Sequence, residues 1–137
     1  FGFDPKVAFV SHSTFGQPLT NRTKHIKKAV DILKEKNVDF EFDGDMQPDV
    51  ALNKDYKSLY PFSKIVGNAN ILIMPGQHSA AISYKMMKEL GDTKVIGPLL
   101  IGLGLPIEIA PLRTSTSELI NLASIAAYSA DGIDYKK

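Results

Sequence analysis

Continuous apolar runs of strand length, each leading through a small polar loop into a helix-length segment, leave this chain few folds to choose from. "KVAFVSH" (6–12) is apolar and β-branched and ends in the polar cluster "SHSTFGQP", as a buried strand followed by a loop does. With Thr20 or Asn21 as cap, Ile26, Ala29, Val30 and Leu33 then recur at i, i+3, i+4 and i+7, and Lys and Arg fill the other face as far as Asn37. That spacing predicts a solvent-facing amphipathic helix. "VDFEF" (38–42) alternates like a strand and runs into "DGDMQPD", read as a turn, where Pro48 is placed to open a short helix through "DVALN". "ANILIMP" (69–75) is a second uninterrupted apolar run, typical of a strand covered on both faces, and it precedes a helix over "SAAISYKMMKELG" (79–91), stopped by Gly91. A further apolar run, "KVIGPLLIGLGLP" (94–106), is broken by Gly97-Pro98, Gly102 and Gly104. A final helix starts where Ser115 and Glu118 are spaced as a capping box ahead of Leu119, Ile120, Leu122 and Ala123. Alternating strands and helices imply an α/β fold, a parallel-stranded sheet with helices on both faces and right-handed crossovers, in which 6–11 and 69–75 are interior strands.

Composition narrows the function classes. The 137 residues are 44% hydrophobic, enough for one core. A formal net charge of +1 gives no global field for nucleic acid or a membrane surface. The absence of cysteine removes disulfides, thiolate metal sites and a Cys nucleophile. No run approaches the roughly 18 to 20 apolar residues of a membrane span, and no signal pattern opens the chain, so a cytoplasmic location is expected. Because the chain begins with Phe1 rather than Met, it is expected to be a segment of a longer polypeptide.

In an open parallel sheet, ligands sit at the carboxyl ends of the strands, which directs attention to "SHSTFGQ", "DGDMQ", "MPGQHS" and "GLGLPIEIAPLRTS". Ser11, Ser13, Thr14 and Gly16 offer either a hydroxyl and backbone nest for an anion or an ordinary strand-to-loop turn. Asp43 and Asp45 flank Gly44 as turn residues first and as paired acid–base carboxylates second. His12, His25 and His78 are scattered without ligand spacing, so no metal site is expected. "GLGLP" lacks the third glycine of a dinucleotide fingerprint.

Taken in order, "KVAFVSHSTFG", "DGDMQPDVAL", "GNANILIMP", "AISYK", "IGPLLIGLGLPI" and "INLASIAA" resemble the C-terminal half of the phosphate acetyl/butyryl transferase family. Within it, "SHSTFG", "NILIMP" and "AISYKMMKELG" look most like the phosphotransacetylase-like C-terminal domain of bacterial NADP-dependent malic enzymes. The resemblance implies an isocitrate/isopropylmalate dehydrogenase-like architecture, two-lobed with part of one lobe missing. Residues 1–137 would be the C-terminal portion of such a domain, 1–105 mostly one lobe and 106–137 crossing back to the other.

The same resemblance bears on chemistry. Active phosphate acetyltransferases carry a Ser-Arg pair after the "GL-KP" loop and an Asp at the next helix start, where this chain has Pro111, Leu112 and Glu118. Their helix carries Gln-Arg where this one has Lys88 and Glu89. Holding a phosphate dianion needs cationic donors, which Pro111 and Leu112 do not supply and Glu89 opposes; Arg113 or Lys88 could substitute in part. The resemblance therefore implies a retained fold with a lost activity: a regulatory and oligomerisation domain of a malic enzyme, with no catalytic residue of its own. It would sense acetyl-CoA or a related acyl-CoA through Ser11, Ser13, Thr14, Gly16, Tyr84 and Lys85. Malate oxidation, NADP and a divalent metal would belong to a part of the polypeptide outside this segment, and the domain would form a homo-oligomer. The alternatives are an active phosphate acetyltransferase and a purely structural assembly domain.

Overall fold

In the computed structural model, which describes residues 2–91 and 94–130, the chain divides into two compact units, Phe1–Lys85 and Met86–Lys137. The first unit is built on a parallel sheet of three strands, β1 (Lys6–Val10), β2 (Glu41–Met46) and β3 (Ile71–Ile73), in the order β2-β1-β3. Parallel pairing requires a crossover between strands. The connections supply α1 (Asn21–Glu35) between β1 and β2, then α2 (Pro48–Leu52) and α3 (Lys54–Lys57) between β2 and β3. The α/β parallel architecture expected from the alternating runs is therefore the one observed.

Helix α1 starts where its cap dictates. The Thr20 hydroxyl accepts from the Thr23 amide while the Thr23 hydroxyl accepts from the Thr20 amide, a reciprocal capping box. The helix packs against β2 with Val30 buried and Ile26 and Leu33 partly buried, while Ala29 of the expected stripe stays exposed. Pro48 occupies the first turn of α2, where its missing N–H is not needed. Ala8 from the central strand, Met46, Val50, Ala51, Ile65 and Ala69 form the core, flanked by Phe15, Tyr60 and Leu72.

Three local expectations are corrected. The second strand is 41–46 rather than 38–42, so Asp43, Gly44 and Asp45 are strand residues, not a turn. They can be, because both buried carboxylates find donors: Asp43 accepts from the Lys64 amide at 2.8 Å and Asp45 from the Gly16 amide at 3.0 Å. Gly44 fits there because a Cβ would lie 2.7 Å from the carbonyl oxygen of Phe9, its partner in register. The run 69–75 contributes only Ile71–Ile73, and among the described residues that strand is an edge, not an interior strand. Ile71 and Ile73 stay exposed, so the apolar run marks surface this chain does not itself cover. The run 94–106 forms no strand among its described residues, its glycines and Pro98 interrupting any ladder.

Helix α4 (Gln77–Leu90) begins in the first unit and ends in the second, which also contains an irregular connection and α5 (Thr116–Ala130). The expected cap of α5 is present: the Ser115 hydroxyl accepts from the Glu118 amide at 3.3 Å, and the Glu118 carboxylate accepts from the Ser115 amide at 2.7 Å. Among the described residues of this unit Leu122 alone is buried.

Candidate functional site

The loop after β1 is held from below by β2. Pairing shifts by one residue between Phe9–Gly44 and Val10–Met46, leaving Asp45 as the extra residue of a bulge, a device that re-aims a side chain. The Asp45 carboxylate accepts the Ser13 hydroxyl and the Gly16 amide, and its main-chain oxygen accepts the Phe15 amide at 2.6 Å. Thr14 and Gln17 bond each other's backbones across Phe15 and Gly16, whose φ values of +49° and +83° are those of a type I′ turn. Glycine takes this conformation freely, whereas phenylalanine does not. Phe15 is kept there by edge-on contact with the ring of Phe62, centroids 4.8 Å apart, and by Tyr60 at 5.5 Å.

This arrangement sorts the loop residues singled out in the sequence. Ser13 and Thr14 are buried, with Ser13 turned to Asp45 and the Thr14 hydroxyl accepting from the Gln47 amide at 3.2 Å. Gly16 contributes its amide to Asp45. Ser11 lines a cleft of about 560 Å³ at the carboxyl end of β1, within the size range of small-molecule sites. The cleft is completed by the first turns of α1, by Pro48 and by the segment from Met74 into α4. Tyr84, half-buried, and Lys85, exposed, lie farther along α4, outside that lining.

Sequence spacing missed one feature of the cleft. His12, His25 and His78 all line it, together with Arg22. They come from the loop after β1, from α1 and from the start of α4, separations that only the crossover topology collapses. No group of histidines and carboxylates fit to hold a metal ion exists among the described residues.

The second unit contains its own small cavity, about 90 Å³, lined by residues that include Lys88, Gly97, Pro111, Arg113 and Glu118. The Lys88 ammonium donates to the Glu118 carboxylate at 2.8 Å. That hydrogen bond, with the bonds from Ser115, draws the Glu118 carboxyl down to about 2 from its ordinary 4.5. The backbone and hydroxyl of Thr114 both donate to the Pro111 carbonyl, closing a turn ahead of α5. The Leu112 side chain is fully exposed, and Glu89 is exposed on α4. Pro111 and Glu118 are therefore brought to one cavity, whereas Leu112 and Glu89 do not line it.

The profile of the phosphate acetyl/butaryl transferase family matches residues 1–127. The chain belongs to that family. It is 50% identical over 94% of its length to an NADP-dependent malic enzyme of Rhizobium meliloti (strain 1021), and it spans 17% of that enzyme. It is 33% identical, over 93% of its length, to a phosphate acetyltransferase of Clostridium acetobutylicum, of which it spans 38%. A crystal structure of a phosphotransacetylase from Streptococcus pyogenes superposes with a TM-score of 0.86 at 32% identity, covering 94% of this chain and 40% of that one. The chain thus spans less than half of the phosphotransacetylase it superposes on and a small part of the length of the malic enzymes it matches. No helix of the described residues is long and apolar enough to cross a membrane.

Proposed function

We propose that this transferase-family domain is a non-catalytic, acetyl-CoA-responsive module of an NADP-dependent malic enzyme, located in the cytoplasm. The observation that carries the reading is the Lys88–Glu118 ion pair in the small cavity of the second unit. Acyl transfer to phosphate needs cations free to clamp a dianion and polar groups beside the thiol. Here a cation is already matched to a carboxylate, Pro111 has no side-chain donor, and Leu112 is turned to solvent. The site chemistry is spent on capping and holding α5, while the cleft at the strand ends keeps the volume to accept part of an acyl-CoA.

The unburied apolar surface supports a second element of the reading, self-association. Met86, Met87 and Leu90 form an apolar patch on the last turns of α4, and such patches mark surfaces covered by other protein.

Two measurements test the reading. Acetyl phosphate formation from acetyl-CoA and phosphate by the intact polypeptide is expected to be absent, and acetyl-CoA is expected to bind and to alter malate oxidation. One observation favours an active transferase instead, since Arg113 lines the small cavity and carries a guanidinium suited to phosphate. Turnover abolished by Arg113→Ala would establish that alternative. A domain that binds no acyl-CoA at all would leave assembly as its role.

A further inference from the structure

We propose that His12, His25, His78 and Arg22 make the cleft at the strand ends a pH-gated anion subsite, which takes up a phosphate-class group as the imidazoles become protonated. The proposal rests on the acetyl-CoA reading only for the source of the anion, which would be the phosphates of the acyl-CoA.

The cleft's charge balance is one-sided. His12 follows β1, Arg22 and His25 stand on the first turns of α1, and His78 stands on the first turn of α4, all lining the same space. Among the described residues the rest of the lining is apolar, hydroxyl-bearing or glycine, without a carboxylate. Of the two nearest acidic residues in sequence, Asp45 is buried and holds Ser13 and Gly16, and Asp49, exposed outside the lining, accepts from the Val50 amide in the first turn of α2. Lys24, Lys27 and Lys28 add positive charge on α1 outside the lining.

The three imidazoles do not form a metal-ligating group. Spread around about 560 Å³, they suit a ligand larger than one ion and carrying more than one negative oxygen. Gln47 donates to the His12 carbonyl at 2.8 Å and so ties the loop after β1 to the start of α2. An unperturbed imidazole titrates near pH 6.5. With the imidazoles neutral the lining offers the single charge of Arg22, and each protonation adds one more to the same space. Charge-assisted hydrogen bonds to an anion then favour the protonated form, so binding takes up protons.

Inorganic sulfate is the probe of choice, because its charge is constant over this range, unlike that of a phosphate monoester with a second pKa of about 6. Histidine ring-proton resonances of the intact polypeptide are followed as sulfate is added at pH about 6 and about 8, with acetyl-CoA titrated in parallel. The expected result is shifts confined to His12, His25 and His78 and an affinity tighter by about tenfold or more at the lower pH. His12→Asn, His25→Asn and His78→Asn together should abolish the pH dependence, and Arg22→Gln should weaken binding at both pH values. Equal sulfate affinity at both values, or no response of the three imidazoles, overturns the proposal. The two readings separate cleanly: pH-gated sulfate binding without acetyl-CoA binding sinks the acyl-CoA reading and leaves the anion subsite standing. Acetyl-CoA binding that ignores pH and the histidines does the reverse.

Discussion

Lys88 Nζ lies 2.8 Å from Glu118 Oε1, and the same carboxylate closes the capping box of α5 through Ser115. One acidic side chain thus ties the last turn of α4 to the first turn of α5. Removing it would release a helix cap and an ion pair together.

This gives a pH prediction with a definite sign. The Glu118 carboxyl, held at about 2 by the Lys88 hydrogen bond and the bonds from Ser115, is depressed below its ordinary 4.5. A depressed folded-state value means that the stabilisation is fully present above the unfolded value and disappears as the pH falls from about 4.5 through about 2. Carboxyl carbon resonances should report a titration of Glu118 near the lower limit. Lys88→Met should move it upward toward the ordinary value. A wild-type midpoint at 4.5 would show that the ion pair does not persist in solution.

Asp45→Ala should destabilise the first unit by about 2–4 kcal/mol, because the buried Ser13 hydroxyl and the Gly16 amide lose a charged acceptor. Urea unfolding measures the loss. Hydrogen exchange adds a local signature: the Gly16 amide should exchange faster, while the Phe15 amide, bonded to the main-chain oxygen of residue 45, should stay comparatively protected.

Gly44→Ala should cost about 3 kcal/mol, the upper range for forcing atoms into a packed site. Its Cβ would fall 2.7 Å from both the Cβ and the carbonyl oxygen of Phe9 at a φ of +152°. Separating β1 and β2 is the only relief, so the unfolding midpoint should drop sharply. A variant as stable as the parent would mean that the two strands do not pair in this register.

Pro111 lines the small cavity while Leu112 and Glu89 stand outside it, so only the longer reach of arginine would bring the three together. Combining Pro111→Ser, Leu112→Arg and Glu89→Arg should then strengthen phosphate binding beyond the sum of the single changes by about 1 kcal/mol, since groups that clamp one anion act as a unit. Calorimetric titration with inorganic phosphate would show it. Additive or null effects would mean that these positions do not converge on one site.

The apolar patch of α4 leads to an assembly prediction. Sedimentation at micromolar concentration should show at least a dimer, and Met86→Glu with Leu90→Glu, at positions 53% and 81% exposed, should shift it toward monomer. A parent that sediments as monomer would count against self-association.

Periodicity and capping residues carried most of the secondary structure. The stripe Ile26, Ala29, Val30, Leu33 and the Thr20 and Ser115 caps are local patterns, and α1 and α5 begin where those caps place them. The ordered blocks from "SHSTFG" to "INLASIAA" likewise sufficed for family membership, because block order survives without any coordinates. What local pattern could not decide was the fate of groups whose partners are distant in the chain. "DGD" has the composition of a turn, yet it is strand, since Lys64 and Gly16 supply donors to its carboxylates and Phe9 demands a glycine opposite. Ser13 has a ligand-binder's hydroxyl, but an acceptor 32 residues away turns it inward. The converse holds for His12, His25 and His78: unremarkable at their sequence spacing, they line one cleft because parallel strands place every following helix start at the same end of the sheet.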